Sequence, residues 1–255
     1  MGHLYLGNLP RTHRWKDVIS LLETGANLPT LADASFYAAL TGLKQVPSDI
    51  GFIAIIDAIV ELSAAARAKD TAAALDESGV DRESQSSSFG LLSSVAKKLS
   101  DELHQVHPRS DVGKIAQDAF LDSLSKQVQG NTGSLFQADP QDVRRLTEPL
   151  RGNQFKALMH EFYSAFTSRF LSYHISRELP NHVGSEKRFA DMSEHAEFKQ
   201  AFDLLCRQTV RISDEFTPGW VGKAVFERNM SRESVRRYAH IAFKKIASEF
   251  KKGGD

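Results

Sequence analysis

From Phe155 to Tyr173 the large apolar side chains return every three or four residues, and this spacing constrains the fold more tightly than any other feature of the chain. Phe155, Leu158, Met159, Phe162, Phe166, Phe170 and Tyr173 fall within about 60° either side of one line when each residue turns by about 100°. Only an α-helix gathers such a set on one face, and a face so aromatic has to be buried. The spacing predicts a long amphipathic helix from residue 153 to the Leu179-Pro180 step, with an aromatic seam.

The same period recurs along the chain. Trp15, Val18, Ile19 and Leu22 predict a helix that stops at Gly25. Pro29 opens the next, which runs to Gly42, following the preference for Pro just inside a helix start and Gly just past its end. Pro47 opens a third, apolar over more than half its circumference through Phe52, Ile55, Ile56, Ile59, Val60 and Leu62, and its alanine-rich continuation predicts extension past Leu75. Residues 77–90 then replace the apolar pattern with serine, glycine and charge, and helical spacing resumes at Leu91. Asp111 is placed to cap a helix reaching Gln129, and Asp139-Pro140 marks another helix start. Further helices are expected over 193–215, around 221–226, and from Ser231 to near Lys252.

No run alternates apolar and polar residues over five or more positions with β-branched enrichment, and no strand–helix–strand rhythm or fixed repeat is present. The expected fold is therefore all-α: a bundle of about nine or ten helices behind a short non-helical arm at residues 1–10. The boundaries suggested are an N-terminal helical subdomain over 1–80, a linker at 81–90, middle helices over 91–150 and an aromatic-rich subdomain over 151–255. That last segment holds 15 of the 23 aromatic residues and 18 Lys/Arg against 13 Asp/Glu, a net of +5, while residues 1–150 carry 14 against 19, a net of −5. The asymmetry fits two subdomains, or two ends of one chain that attract each other.

Over the whole chain 32 basic residues balance 32 acidic ones, so overall charge predicts neither a nucleic-acid nor a membrane-surface binder. A lone cysteine, Cys206, excludes an internal disulfide and any cysteine-based zinc site within one chain. The most apolar stretch, 52–62, is about half a membrane span and carries Asp57 and Glu61. With no apolar core of signal-peptide length in residues 1–14, a cytoplasmic protein that does not enter the membrane is expected.

Chemical motifs are sparse. The glycine spacing and Lys-Ser/Thr pair of a phosphate loop are missing, as is the Gly-x-Ser-x-Gly elbow of a hydrolase. Nine histidines occur, but His104 and His107 sit before a proline without a fitting carboxylate set, and His160-Glu161 lacks a second histidine at metal-binding spacing. No metal, cofactor or catalytic set is expected from local motifs.

Two segments carry more specific chemistry. Arg169, Tyr173 and Arg177 follow at four-residue intervals inside the apolar sector of the long helix, with His174 at its edge and His182 in the turn beyond. Burying arginine is costly unless it is paired, so this stripe either binds an anion or a partner's carboxylate, or forms salt bridges to another helix. On the last helix, Arg236, Arg237, His240, Lys244 and Lys251 lie opposite an apolar face of Val235, Ala239, Ala242, Ile246 and Phe250. That basic face could meet phosphates or an acidic protein, and is otherwise simply solvated.

Three functions remain in play. The favoured one is a helical protein–protein interaction module or accessory subunit of a larger bacterial-type assembly, with a protein partner or self-association. The second is a nucleic-acid-binding protein using the basic C-terminal helix. The third is a helical enzyme acting on an anionic substrate through Arg169, Tyr173, His174, Arg177 and His182.

Overall fold

A computed structural model describes residues 11–106, 110–132 and 143–210, together with Glu233, Arg237 and Ile241. Among these residues the chain forms nine α-helices and no strand, as the periodicity requires; an isolated bridge joins Val183 and Phe189. The expected N-terminal arm, the Asp139-Pro140 helix start, the short helix around 221–226 and nearly all of the last helix lie outside the described residues.

Helix α1 (His13–Glu23) buries Trp15, Val18 and Leu22, one helical stripe. Helix α2 (Leu28–Gln45) starts where Pro29 predicts, and the Asn27 side chain accepts from the Thr30 backbone N–H at 2.9 Å. Asp49 caps α3 (Ile50–Ala66) by accepting from Phe52 N–H at 2.8 Å. The α3 helix buries Phe52, Ile55, Ile56, Ile59 and Leu62, the broad face read from its sequence.

Here the structure departs from the expected long third helix. The chain leaves α3 at Arg67, whose N–H bonds back to Ala64, and Asp70 starts a new helix, α4 (Thr71–Glu77), by accepting from Ala73 N–H at 3.0 Å. Aspartate competes with the helical ladder for nearby N–H groups, and this local capping overrides alanine's propensity to continue. The break lets Leu75 and Val80 fold back into the core, both fully buried.

The serine-rich stretch is folded against its neighbours. It contains a 3-10 turn, Arg82–Ser86, whose buried Gln85 donates to the carbonyls of Ala72 and Val80 at 3.1 and 2.9 Å. Ser87 then caps α5 (Ser88–Gln105), so that helix begins three residues earlier than its apolar pattern indicates. Helix α6 (Asp111–Thr132) is capped by Ser110, not by Asp111 as expected: the serine hydroxyl accepts from Gly113 N–H at 3.1 Å. Asp111 becomes the first helical residue, and its carboxylate accepts from the Tyr173 hydroxyl at 3.2 Å.

A short α7 (Val143–Leu146) and a 3-10 turn, Glu148–Leu150, lead into α8 (Gly152–Glu178), and α9 is Met192–Val210. At 27 residues α8 is about 40 Å long. It lies against α6 and α9 and also touches α2, while α3 and α5 pack against α6 and against each other. The predicted aromatic seam is the centre of this arrangement. Phe162 and Phe166 have no exposed surface, and Phe162 meets Phe52 of α3 and Phe120 of α6 at ring-centroid distances of 6.4 and 6.2 Å. Each buried phenylalanine contributes roughly 1.5–3 kcal/mol through surface removed from water. One continuous apolar core runs from Trp15 to Phe202, and no described helix is long and apolar enough to cross a membrane.

Candidate functional site

The members of the α8 stripe do not all meet at one place. Arg169 is ion-paired with Asp122 of α6, and both side chains are partly exposed. Tyr173 is half-buried and donates its hydroxyl to Asp111, also on α6. Arg177, expected within the apolar sector, is exposed at the end of the helix, with its guanidinium carbon 4.7 Å from the centre of the Tyr173 ring. His182 occupies the 3-10 turn Leu179–His182, where its carbonyl accepts from Phe189 N–H at 3.0 Å. The arrangement therefore brings Tyr173, His174 and Arg177 together, and ties both Tyr173 and Arg169 to α6.

His174 is the most perturbed member. It is only 7% exposed, and its ring meets Trp15 of α1 edge-on at 5.0 Å and Tyr173 at 5.2 Å. Burial first, and the positive charge of Arg177 second, push its pKa down to about 4. At neutral pH it is an uncharged ring packed against a tryptophan, so it supplies no positive charge to an anion.

A different place collects positive charge. Arg144 and Arg145 of α7 and Arg151, which precedes α8, line one open cleft of about 670 Å³ together with Glu148, Asn153 and Gln154. The local sequence explains why they converge. Pro149 sits in the turn between α7 and α8, where Leu146, Thr147, Pro149 and Leu150 are buried and Arg144, Arg145 and Glu148 are left exposed. Arg151 anchors the cleft to α4 by donating to the Thr71 hydroxyl at 2.9 Å and to Thr147 Oγ1 at 3.1 Å. Arg144 donates to the carbonyl of Lys69 at 3.2 Å, and Ser63 of α3 bonds the Leu150 carbonyl at 2.8 Å. Gly152 has a positive φ of 47°, which glycine adopts without a Cβ penalty, and a Cβ added there would meet nothing within 4 Å.

Among the described residues, three guanidinium groups and one carboxylate line the cleft, an excess of basic over acidic side chains. The first turn of α8 adds to it. That turn holds no acidic residue, and Arg151 makes no side-chain capping bond to it, so the positive end of a long helix faces the same region. The chemistry available is recognition of a negatively charged group by charge-assisted hydrogen bonds.

This cleft was not among the residues selected from the sequence. Nothing in the sequence alone sets Arg144, Arg145 or Arg151 apart. The available signal was a pair of arginines and a third arginine bracketing a Pro-containing turn, immediately before the strongest amphipathic helix. Of the five basic candidates near the C-terminus, Arg236, His240, Lys244 and Lys251 lie outside the described residues, while Arg237 is exposed and pairs with Glu233 at 3.3 Å. The side chain of Cys206 is also outside them. Among the described residues no group of three His, Cys, Asp or Glu side chains is arranged to hold a metal ion. Comparison with known proteins gives no match to a family model, a curated protein or a solved structure.

Proposed function

We propose that this chain is a helical interaction module, an accessory subunit of a larger bacterial-type cytoplasmic assembly, and that it grips an anionic group of its partner in the cleft between α7 and α8. The observation that carries this reading is the convergence of Arg144, Arg145 and Arg151 on one open cleft at the start of the longest helix. Binding energy there comes from charge and hydrogen bonding at a surface a partner can reach, with the bundle behind it as a rigid support.

Two observations weigh against a catalytic site on the α8 stripe. His174 is neutral and packed against Trp15, and Arg169 is engaged with Asp122. Nucleic-acid contact through the last helix draws less support, since Arg237 has a carboxylate, Glu233, beside it.

Affinity purification from the native host tests the reading when wild type is compared with Arg144→Glu/Arg145→Glu. Both side chains are exposed, so the variant should stay folded, losing only the bond of Arg144 to the Lys69 carbonyl and other surface contacts. A stoichiometric companion, or a second copy of the chain, should be retained by wild type and lost from the variant. A strictly monomeric wild type by light scattering, with no companion recovered, contradicts the proposal.

A further inference from the structure

We infer that Arg188 is a latch: through it the C-terminal turn of α1 and the strap between α8 and α9, residues 183–191, open and close as one unit. The latch is independent of the cleft. The strap follows the C-terminal end of α8, and the cleft lies at the other end of that helix, about 40 Å away.

The receiving side is built by the end of α1. Gly25 takes a positive φ of 73°, and the chain closes the helix there with two bonds. Ala26 N–H donates to the Leu21 carbonyl at 3.0 Å and Gly25 N–H to the Leu22 carbonyl at 3.4 Å. That turn brings the Leu22 and Ala26 carbonyls within reach of one guanidinium. Arg188 donates to both, from Nη1 to Leu22 at 3.3 Å and from Nη2 to Ala26 at 2.7 Å. The last turn of α1 holds no basic residue of its own, so the positive charge that suits its negative end arrives from a residue 162 positions after Ala26.

The strap presents that guanidinium. Phe189 N–H donates to the His182 carbonyl at 3.0 Å and Gly184 N–H to the Phe189 carbonyl at 2.9 Å, which folds residues 182–189 back on themselves. The guanidinium carbon of Arg188 then stands 4.9 Å from the centre of the Phe198 ring on α9 and 5.6 Å from that of Phe189. A planar fork can meet two carbonyls and lie over a ring at once, whereas an ammonium is a single point of charge. Burial holds the Arg188 pKa below the ordinary arginine value, and hydrogen bonds to a charge gain strength where water is excluded.

Little else anchors the strap from within. Phe189 is its one buried side chain, so its apolar packing is slight. Release of Arg188 removes the cation from the end of α1, removes a hold on the strap, and bares the ring faces of Phe189 and Phe198. Both sides lose the same group in the same event, which is why they move together.

Amide hydrogen exchange of the full chain, read residue by residue by NMR, tests this. The reporters are the N–H groups of Thr24 and Ala26 on the α1 side and of Gly184 and Phe189 on the strap. In wild type, urea below the unfolding transition should bring the two sets to one opening free energy with one urea slope, both lower than for α6 and α8. Arg188→Met keeps an apolar stem over the rings and removes the donors. It should speed exchange of both sets by the same factor, about tenfold or more, with α6 and α8 unchanged. Arg188→Lys should fall between Met and wild type. Faster exchange in the strap with Ala26 unchanged overturns the latch, because Arg188 then props only its own loop. A uniform rise over the whole chain overturns it too, since that is the mark of a general stabilising contact. Should Arg188→Met fail to fold, the wild-type urea slopes decide, and two different slopes contradict the inference.

Discussion

The hydroxyl of Ser110 donates to the carboxylate of Asp49 at 2.7 Å, which joins the caps of two helices 61 residues apart in sequence. Asp49 caps α3 and Ser110 caps α6, and directly beside them Gly51 and Gly113 bring the two helix starts into backbone contact. A Cβ on Gly113 would stand 2.8 Å from the Gly51 Cα and 2.7 Å from Leu103 Cδ2, closer than real Cβ atoms approach. The α3–α6 crossing is therefore set by two glycines and held by a shared pair of caps.

Removing either cap should cost about 1–2 kcal/mol of stability, as helix caps generally do. Because the two side chains bond each other, Asp49→Ala and Ser110→Ala should not add. A double-mutant cycle by urea denaturation should give a coupling of about 0.5–2 kcal/mol. Additive losses would show that the two caps act separately. Gly113→Ala should be worse than either, since backbone rather than a flexible side chain has to move.

Acid should loosen the contact between α1 and α8. The folded chain protonates His174 at about pH 4, whereas the unfolded chain does so near its ordinary value of 6.5. Between those values the unfolded state binds more protons, so stability is lost as pH falls from about 6.5 toward 4. Trp15 packs edge-on against this ring, and Arg177 adds positive charge near it. Urea midpoints of wild type should fall between pH 7 and pH 5, and His174→Phe should flatten that part of the profile. An identical slope in both proteins would exclude His174 as the cause.

Lys98 is 7% exposed and bonds Glu61 of α3 at 2.8 Å, with Glu102 one turn ahead at 3.5 Å. Its ammonium ties α5 to α3 while its stem packs in the interior. Lys98→Ala should destabilise by about 1–3 kcal/mol through lost packing and the broken pair. Lys98→Met should cost less than about 1 kcal/mol, since both carboxylates are partly exposed and remain hydrated. Thermal denaturation of the two variants separates packing from charge.

The Arg169–Asp122 pair should behave as a surface tie between α8 and α6. Both partners are more than a third exposed, so Asp122→Asn should cost less than about 1 kcal/mol. Partner retention in the purification described above should be unchanged. A large loss of retention with a small loss of stability would return the α8 stripe to consideration as a binding surface.

The contrast between α8 and the cleft shows what a sequence of this kind displays. Period is a property of neighbouring residues, so the seam from Phe155 to Phe170 was legible, and its members are buried together. The α3 break was not, because it depends on Asp70 outcompeting a helical ladder that Ala64, Ala65 and Ala66 favour. The α6 cap moved by one residue, since Ser110 and Asp111 are both good caps and only the approach of Asp49 and Tyr173 decides between them. The α8 stripe was visible as spacing, yet its role depended on Asp122 and Trp15 from distant helices. The arginine cleft has no period at all. It exists because the turn around Pro149 places three arginines along one open cleft.

Amide chemical-shift mapping of the isotopically labelled chain, titrated with an anionic peptide at low salt, is the most direct test that the α7–α8 cleft is the binding surface. Shifts confined to residues 143–154 and to the adjoining turn at Lys69–Thr71, lost in Arg144→Gln/Arg145→Gln, are the predicted result. Shifts centred on residues 169–182, or none as the peptide is raised, would contradict it.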